Sequence, residues 1–571
     1  MANDPTKDKG LAKKGKPSPW PILAVYLFFG ILGFYLVFHQ TINGGFRLLQ
    51  SDPGDGRLCN YFLEHSYKFF FDKGYQASFW SPANFYPIQH ILTFSENLLG
   101  SSFIYFLFRP FLPADTSFQL WMMAMVILNY LAFALMMRKL GANHFFSALG
   151  GFLFAFSAAR VAFLGFHQLL PQFYTPLFII FFWSFCKKPC FSNLIFALSM
   201  IYLQLLASFY LGWFLALSLL FFIPIFFIIR REDAKKVAVF IKKEILKVVP
   251  LLLSFFLMLG LFFYPYVKTM QLYGRRYYDE VFLMLPRIKS YLAAGGSTIW
   301  GHHLDFLSRG LPMRQEHRLF MGFAFILLTI LALYFLFWQT RKKKDELLTL
   351  GRIFLLTSLT LFILSLKIPG TDSSLWKIVY DFVPGSGAIR GVARIALVTY
   401  FYLMVANIIT LQYFFLRKSK AISLLIIVFI SLMLAEQITF KTHTYDKIAS
   451  RAEENRLVEA MKLLNCEVYY YSFSNKLAEI YMKPQLEMMW AGLETNRKVI
   501  NGYTGPEDSH YGTPLEAMNL TGVKDWLNYN NQTASDLCFI VDKREPKETT
   551  SNLSSYPLVE ETGSFSVYRI Q

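Results

Sequence analysis

Charge is scarce in this chain. Only 16% of its 571 residues are charged, against 54% hydrophobic and 18% aromatic residues. Soluble domains carry about 25% charged residues, so a string of soluble domains is excluded and the apolar excess must face lipid. Cysteine is scarcer still: five residues, Cys59, Cys186, Cys190, Cys466 and Cys538, with no metal-ligand spacing among them. An oxidising compartment would let Cys466 and Cys538 pair. The glycine-rich phosphate loop, the dinucleotide-binding glycine pattern and zinc spacing are all missing, which excludes nucleotide-driven work inside the chain. Acids are outnumbered by bases, for a net charge of +18. The bases fall in short clusters between apolar segments rather than on one amphipathic surface, which argues for membrane topology and against nucleic acid as a partner.

What is present in abundance is long apolar runs. Segments 20–38, 118–137, 145–164, 169–186, 191–208, 212–229, 248–266, 319–340, 347–366, 393–416 and 421–439 are apolar enough to read as crossings, about eleven in all. The first follows a basic tail with Lys7, Lys9, Lys13, Lys14 and Lys16. Signal-peptide cores usually run ~7 to 15 residues. This run is longer and no cleavage site of small residues follows it, so it reads as an uncleaved anchor. Lys and Arg should gather in every second loop, on the cytoplasmic side. They do so at 138–139, 187–188, 230–247, 341–344 and 417–420. The N-terminus is therefore expected inside and residues 440–571 outside, in a multi-pass protein of the plasma (inner) membrane. Segment 88–112 is also apolar, but counting it as a span would invert every later loop. It reads instead as a helix lying in the outer interface, broken by Pro110 and Pro113.

The expected organisation is a cytoplasmic tail (1–19), a transmembrane unit (20–439) with outer loops 39–117 and 267–318, and a small extracytoplasmic α/β domain (440–571). Within the last, 451–464 reads as an amphipathic helix and 467–472, 536–542 and 564–570 as strands.

The spans carry almost no charge; Arg160, Arg352 and Glu436 lie toward segment ends. Coupled transporters usually bury ionisable groups near the midplane. A transporter would here need a polar path through residues such as Asn129, Gln204 and Asn407. The polar residues concentrate instead on the outer side. The first outer loop holds Ser51-Asp52-Pro53-Gly54-Asp55-Gly56-Arg57, then Glu64, His65, Trp80, Tyr86-Pro87 and Ser95-Glu96. Asp-Pro-Gly-Asp-Gly is also an ordinary turn sequence. A second stretch, 383–394, runs Val-Pro-Gly-Ser-Gly-Ala-Ile-Arg-Gly-Val-Ala-Arg and brings Arg390 and Arg394 to the outer start of a span. Arg390 there would either bind a ligand or snorkel to the interface. Tyr277 and Tyr278 follow Arg275 and Arg276 in the loop after the seventh span, as sugar contacts or as an aromatic belt. His302, His303 and His317 share that loop without a carboxylate at fixed spacing.

An N-in first helix, acids in the first outer loop, interfacial helices before the second span and an outer C-terminal domain together resemble the C-class (GT-C) membrane glycosyltransferases. Protein mannosyltransferases, the aminoarabinose transferase of lipid A and oligosaccharyltransferase belong to that class. The likeness extends over the whole length in architecture, and in motif rests on 52–64, 79–87 and 95–100. Stretch 383–394 is similar to a motif of uncharacterised bacterial members. Several relatives carry adjacent acids, whereas Asp52 and Asp55 are separated by Pro-Gly, and Asn84-Phe85-Tyr86-Pro87 replaces a second acidic motif. The resemblance implies a polyprenyl-phosphate-linked sugar donor, a glycan, lipid or protein acceptor, and inversion at the anomeric carbon. It makes Asp55 the catalytic base, with Asp52 either orienting it or helping it hold a divalent cation, magnesium or manganese. Arg57, Glu64, Glu96, Arg275, Arg276, Arg390 and Arg394 become the expected substrate-binding residues, the arginines because guanidinium forks match phosphate oxygens. Two other readings stand beside it: a transporter of a lipid-linked glycan or solute, and a non-catalytic binding protein using the turn Asn501-Gly502-Tyr503-Thr504-Gly505-Pro506.

Overall fold

In a computed structural model the chain is mostly helical, and the structure describes residues 19–295, 298–340, 343–416, 420–473, 482–504, 518–532, 536–543, 553 and 555–570. Residues 1–18 of the basic tail, the basic residues at 341–342 and 417–418, and positions 505–506 of the C-terminal turn lie outside them.

Eight helices among the described residues are long and apolar enough to cross a membrane: Trp20–Asn43, Ala114–Leu140, His144–Ala162, His167–Lys187, Phe209–Ile229, Ile245–Tyr273, Glu346–Ser365 and Val392–Leu416. Three other expected crossings form shorter apolar helices, Phe191–Ala207, Phe323–Gln339 and Leu424–Ala435. Local breaks explain the shortening. Ser208 ends the first of these and its hydroxyl accepts the Leu211 N–H to start the next helix, and Gly322, at φ 102°, delays the start of the second. Segment 88–112 splits into a 3₁₀ turn, Ile91–Phe94, and the ten-residue helix Leu99–Phe108. That helix is half the length a span needs. It packs so closely on Phe191–Ala207 that a Cβ on Gly100 would stand 2.4 Å from the Leu203 carbonyl oxygen.

Burial separates the helices by role. The apolar window of Val392–Leu416 is 94% buried and forms the centre of the bundle, whereas that of Ile245–Tyr273 is 11% buried. An apolar helix with so little protein around it has lipid as its solvent.

The C-terminal region forms a five-stranded sheet. Two short strands, β1 (Leu48–Leu49) and β2 (Tyr445–Asp446), first pair antiparallel and tie the start of this region to the first loop. The sheet itself contains β3 (Val468–Ser472), β4 (Lys498–Val499), β5 (Leu537–Asp542), β6 (Leu558–Glu561) and β7 (Phe565–Ile570), in the order β4-β3-β5-β7-β6. Strands β3 and β5 are buried along their whole length, as expected for a sheet covered on both faces. Alternation assigns the faces. Tyr469, Cys538, Ile540 and Val567 pack with Leu457, Met461 and Met488 of helices Lys447–Lys462 and Met482–Thr495. Tyr470, Leu537 and Phe539 pack with Val523 and Trp526 of helix Leu520–Tyr529, and with Phe85, Ile88 and Ile91 from the first loop. The loop also extends the sheet edge: Val499 N–H donates to Ala83 O, and Tyr86 N–H to Val499 O. A disulfide joins Cys466 to Cys538.

Candidate active site

The turn at Asp52 is both a turn and a wall of a large cavity. One carboxylate oxygen of Asp52 accepts the backbone N–H groups of Gly54 (2.8 Å) and Asp55 (2.9 Å). Helix Asp55–Phe71 starts at the next residue, so Asp55 sits in the first turn, where backbone N–H groups favour a carboxylate. Gly56 is obligatory here, because a Cβ would fall 1.8 Å from Ser51 Oγ. The other oxygen of Asp52 faces Gly165, whose Cβ would stand 2.9 Å from it.

Asp52 and Asp55 open onto a cavity of about 380 Å³. Four carboxylates (Asp52, Asp55, Glu96, Glu316) and four guanidiniums (Arg276, Arg318, Arg390, Arg394) line it. Burial, with the Asp55 charge second, pushes the Asp52 carboxyl up to about 6. Burial also raises Asp55, against the Tyr503 hydroxyl, which donates to its Oδ1 at 3.0 Å, and the Arg394 charge. Glu96 is pushed up to about 8 by burial, although it accepts the N–H groups of Phe209 and Tyr210 that open helix Phe209–Ile229.

Three of these arginines, Arg276, Arg390 and Arg394, are held by acids. Glu280 pairs with both Arg276 and Arg390 at 3.1 Å. Arg394 forms a two-pronged pair with Glu316, at 2.6 and 3.0 Å, and lies over the rings of Phe166 and Tyr210. The Tyr210 hydroxyl accepts the backbone N–H of Arg390 at 3.2 Å. Stretch 383–394 is thus anchored from three sides, with guanidinium donors left over for an anion.

Of the residues expected at the site, Asp52, Asp55, Glu96, Arg276, Arg390 and Arg394 converge. The other three lie elsewhere. Arg57 is buried in a pair with Glu454 at 2.6 Å, because its place on the helix turns it toward the C-terminal region. Glu64, two turns further on, accepts from Arg109 (2.7 and 2.9 Å) and from the Tyr105 hydroxyl. Arg275 points away from its neighbour Arg276 and lies over the Tyr380 ring. His302 and His303 face each other, while His317 bonds to Ser290 Oγ. Asn129, Gln204 and Asn407 bond inside the bundle, to Leu170 O, Pro171 O and Thr329 Oγ1, and line no part of this cavity. Sequence reasoning missed Glu280, Glu316 and Tyr503 as site residues. Tyr503 lies in the turn singled out as a surface, and nothing in the sequence joins it to Asp55.

Among the described residues no three His, Cys, Asp or Glu side chains come together as cation ligands. Asp52 and Asp55 each keep one carboxylate oxygen free of the bonds described. That donor set fits only a cation completed by water and substrate phosphate, the usual mode of magnesium.

No family model and no curated protein matches the chain. Among solved structures it is similar to the crystal structure of the Archaeoglobus fulgidus oligosaccharyltransferase in the apo form, with a TM-score of 0.52 and 12% identity over 92% of this chain and 70% of that one. At that identity the likeness is one of fold alone.

Proposed function

We propose that this chain is a membrane glycosyltransferase, moving a sugar from a polyprenyl-phosphate carrier to an acceptor on the outer face of the plasma membrane. The observation that carries the reading is the cavity in which Asp52 and Asp55 share walls with Arg276, Arg390 and Arg394, within an oligosaccharyltransferase-like fold. If the three shorter apolar helices also cross, the chain spans the membrane about eleven times. Its N-terminus is then cytoplasmic and its C-terminal domain extracytoplasmic, in keeping with the loop charges. The Cys466–Cys538 disulfide fits that side, since such bonds persist in oxidising compartments.

The reaction is an in-line displacement. The acceptor hydroxyl oxygen bonds to the anomeric carbon, and the bond from that carbon to the phosphate oxygen breaks with its electron pair leaving on phosphate. The hydroxyl proton passes to Asp55. Tyr503, donating to Asp55, keeps the carboxylate charged and aimed. Asp52 fixes the turn that presents Asp55. The spare guanidinium donors of Arg390, Arg276 and Arg394 neutralise charge on the departing phosphate. A magnesium or manganese ion held by Asp52 and Asp55 would add positive charge at the same phosphate.

Asp55→Asn tests the reading. The purified variant, assayed with a panel of polyprenyl-phosphate sugars, is expected to lose transfer by about 10²-fold or more. Full transfer by a variant that inserts normally overturns the role of Asp55. Failure of the unaltered protein to bind or turn over any donor overturns the glycosyltransferase assignment.

A further inference from the structure

Beyond Gly165 the site continues into a second compartment of about 160 Å³. Ala162, Gly165, Arg318 and His443 line both spaces. The second also takes in Lys441 and Thr439, and no acidic residue lines it. It has room for a carboxylate or phosphate with its first polar neighbours.

Its cations differ from those of the main cavity. Arg276, Arg390 and Arg394 are each paired with a glutamate. Arg318 is half-buried, and among the described residues no hydrogen bond or ion pair reaches its guanidinium. Burial and the nearby Arg314 both weigh against its charged form. A half-buried guanidinium without an anion is an expensive arrangement, and a ligand anion would relieve it. Lys441 and His443 are exposed and also without a partner among the described residues. The Thr439 hydroxyl is buried and unbonded, a neutral donor waiting for an acceptor atom.

Position says which substrate brings the anion. Arg276 and Arg390, the phosphate side of the proposed reaction, do not line this compartment. Gly165, which does, is in van der Waals reach of Asp52. An in-line displacement keeps nucleophile and leaving group on opposite sides of the anomeric carbon, so the compartment adjoins the nucleophile. Resting on the glycosyltransferase reading, we propose that it is an acceptor subsite for an anionic group, a carboxylate or phosphate on the acceptor, held by Arg318 and Lys441 with the Thr439 hydroxyl as a further donor.

The test uses purified full-length protein and three probe sugars: glucuronate, glucose 6-phosphate and neutral glucose, with binding followed by calorimetry. At least one anionic sugar is expected to bind tenfold or more tightly than glucose. That preference should shrink severalfold in Lys441→Gln, an exposed position that leaves the fold alone, and vanish in the Arg318→Gln/Lys441→Gln double variant. Arg390→Gln should keep it. Farnesyl phosphate, a donor analogue, should bind Lys441→Gln as it binds the unaltered protein. Equal binding of all three sugars overturns the subsite. So does a Lys441→Gln variant that weakens farnesyl phosphate as much as it weakens the anionic sugars, because the anion would then be the donor's. A Lys441-dependent preference in a protein that transfers no sugar overturns the glycosyltransferase reading and leaves an anion site standing. Transfer without any anion preference does the reverse.

Discussion

Replacing Asp52 by Asn should stabilise the protein while impairing it, and the size of the gain follows from where Asp52 sits. Its carboxyl is raised from 3.8 to about 6, first by burial and then by Asp55. The folded state therefore holds a proton that the unfolded chain releases. Below pH 3.8 both states are protonated and nothing is lost. Between pH 4 and 6 stability falls as pH rises, and above pH 6 the full penalty of a buried charge persists. A rise of that size corresponds to about 3 kcal/mol. Asn keeps an oxygen to accept the Gly54 and Asp55 N–H groups, so the turn survives while the charge goes. For a chain of this length about 3 kcal/mol is worth about 2 to 3 °C of melting temperature. The assay is thermal unfolding in detergent with a chelator present, for both proteins at pH 4.5 and pH 8. The variant should melt higher at pH 8 and near the unaltered protein at pH 4.5, with transfer activity reduced. Equal melting at both pH values, or a variant that is less stable at pH 8, would refute the reasoning.

Tyr503→Phe removes the hydroxyl that donates to Asp55. A hydrogen bond to a charged group contributes about 1.5–3 kcal/mol, so the Asp55 pKa should rise further and the acidic limb of the pH–rate profile should move up by about one to two pH units. A loss of rate that is the same at every pH contradicts this. Reducing the Cys466–Cys538 bond, or replacing both cysteines by Ser, opens a loop with a sequence separation of 72. It should lower stability by up to about 4 kcal/mol. Melting with and without reductant measures it, and the Ser variant should no longer respond to reductant.

Much of the fold is legible in the sequence because membrane spans and buried strands are written as continuous local patterns. The apolar runs recover the eight long helices. The strands at 467–472, 536–542 and 564–570 lie within a residue of those in the sheet. Length is what the pattern overstates: Gly322 breaks a run, 319–340, that hydropathy reads through. The site is legible only where chemistry is local. Asp52 and Asp55 sit in one turn, and Arg390 and Arg394 in one stretch, so each pair could be read together. Partners are not local. Glu316 is 78 residues from Arg394 and Glu454 is 397 from Arg57, and no spacing reveals either. Arg57 and Glu64 share the helix of Asp55 but lie on its other faces, a distinction that a list of neighbouring charges cannot make.

The bond between Tyr503 and Asp55 spans 448 residues, and this separation sets an order of events in the cell. At about 5–20 residues per second of synthesis, the aspartate turn would wait roughly 20 to 90 s in the membrane before the tyrosine that completes it exists. Until then the wall built from His443, Met482 and Tyr503 is missing, and Arg57 stands without Glu454. A nascent or C-terminally shortened chain would hold both acids yet have no finished chamber in which to use them.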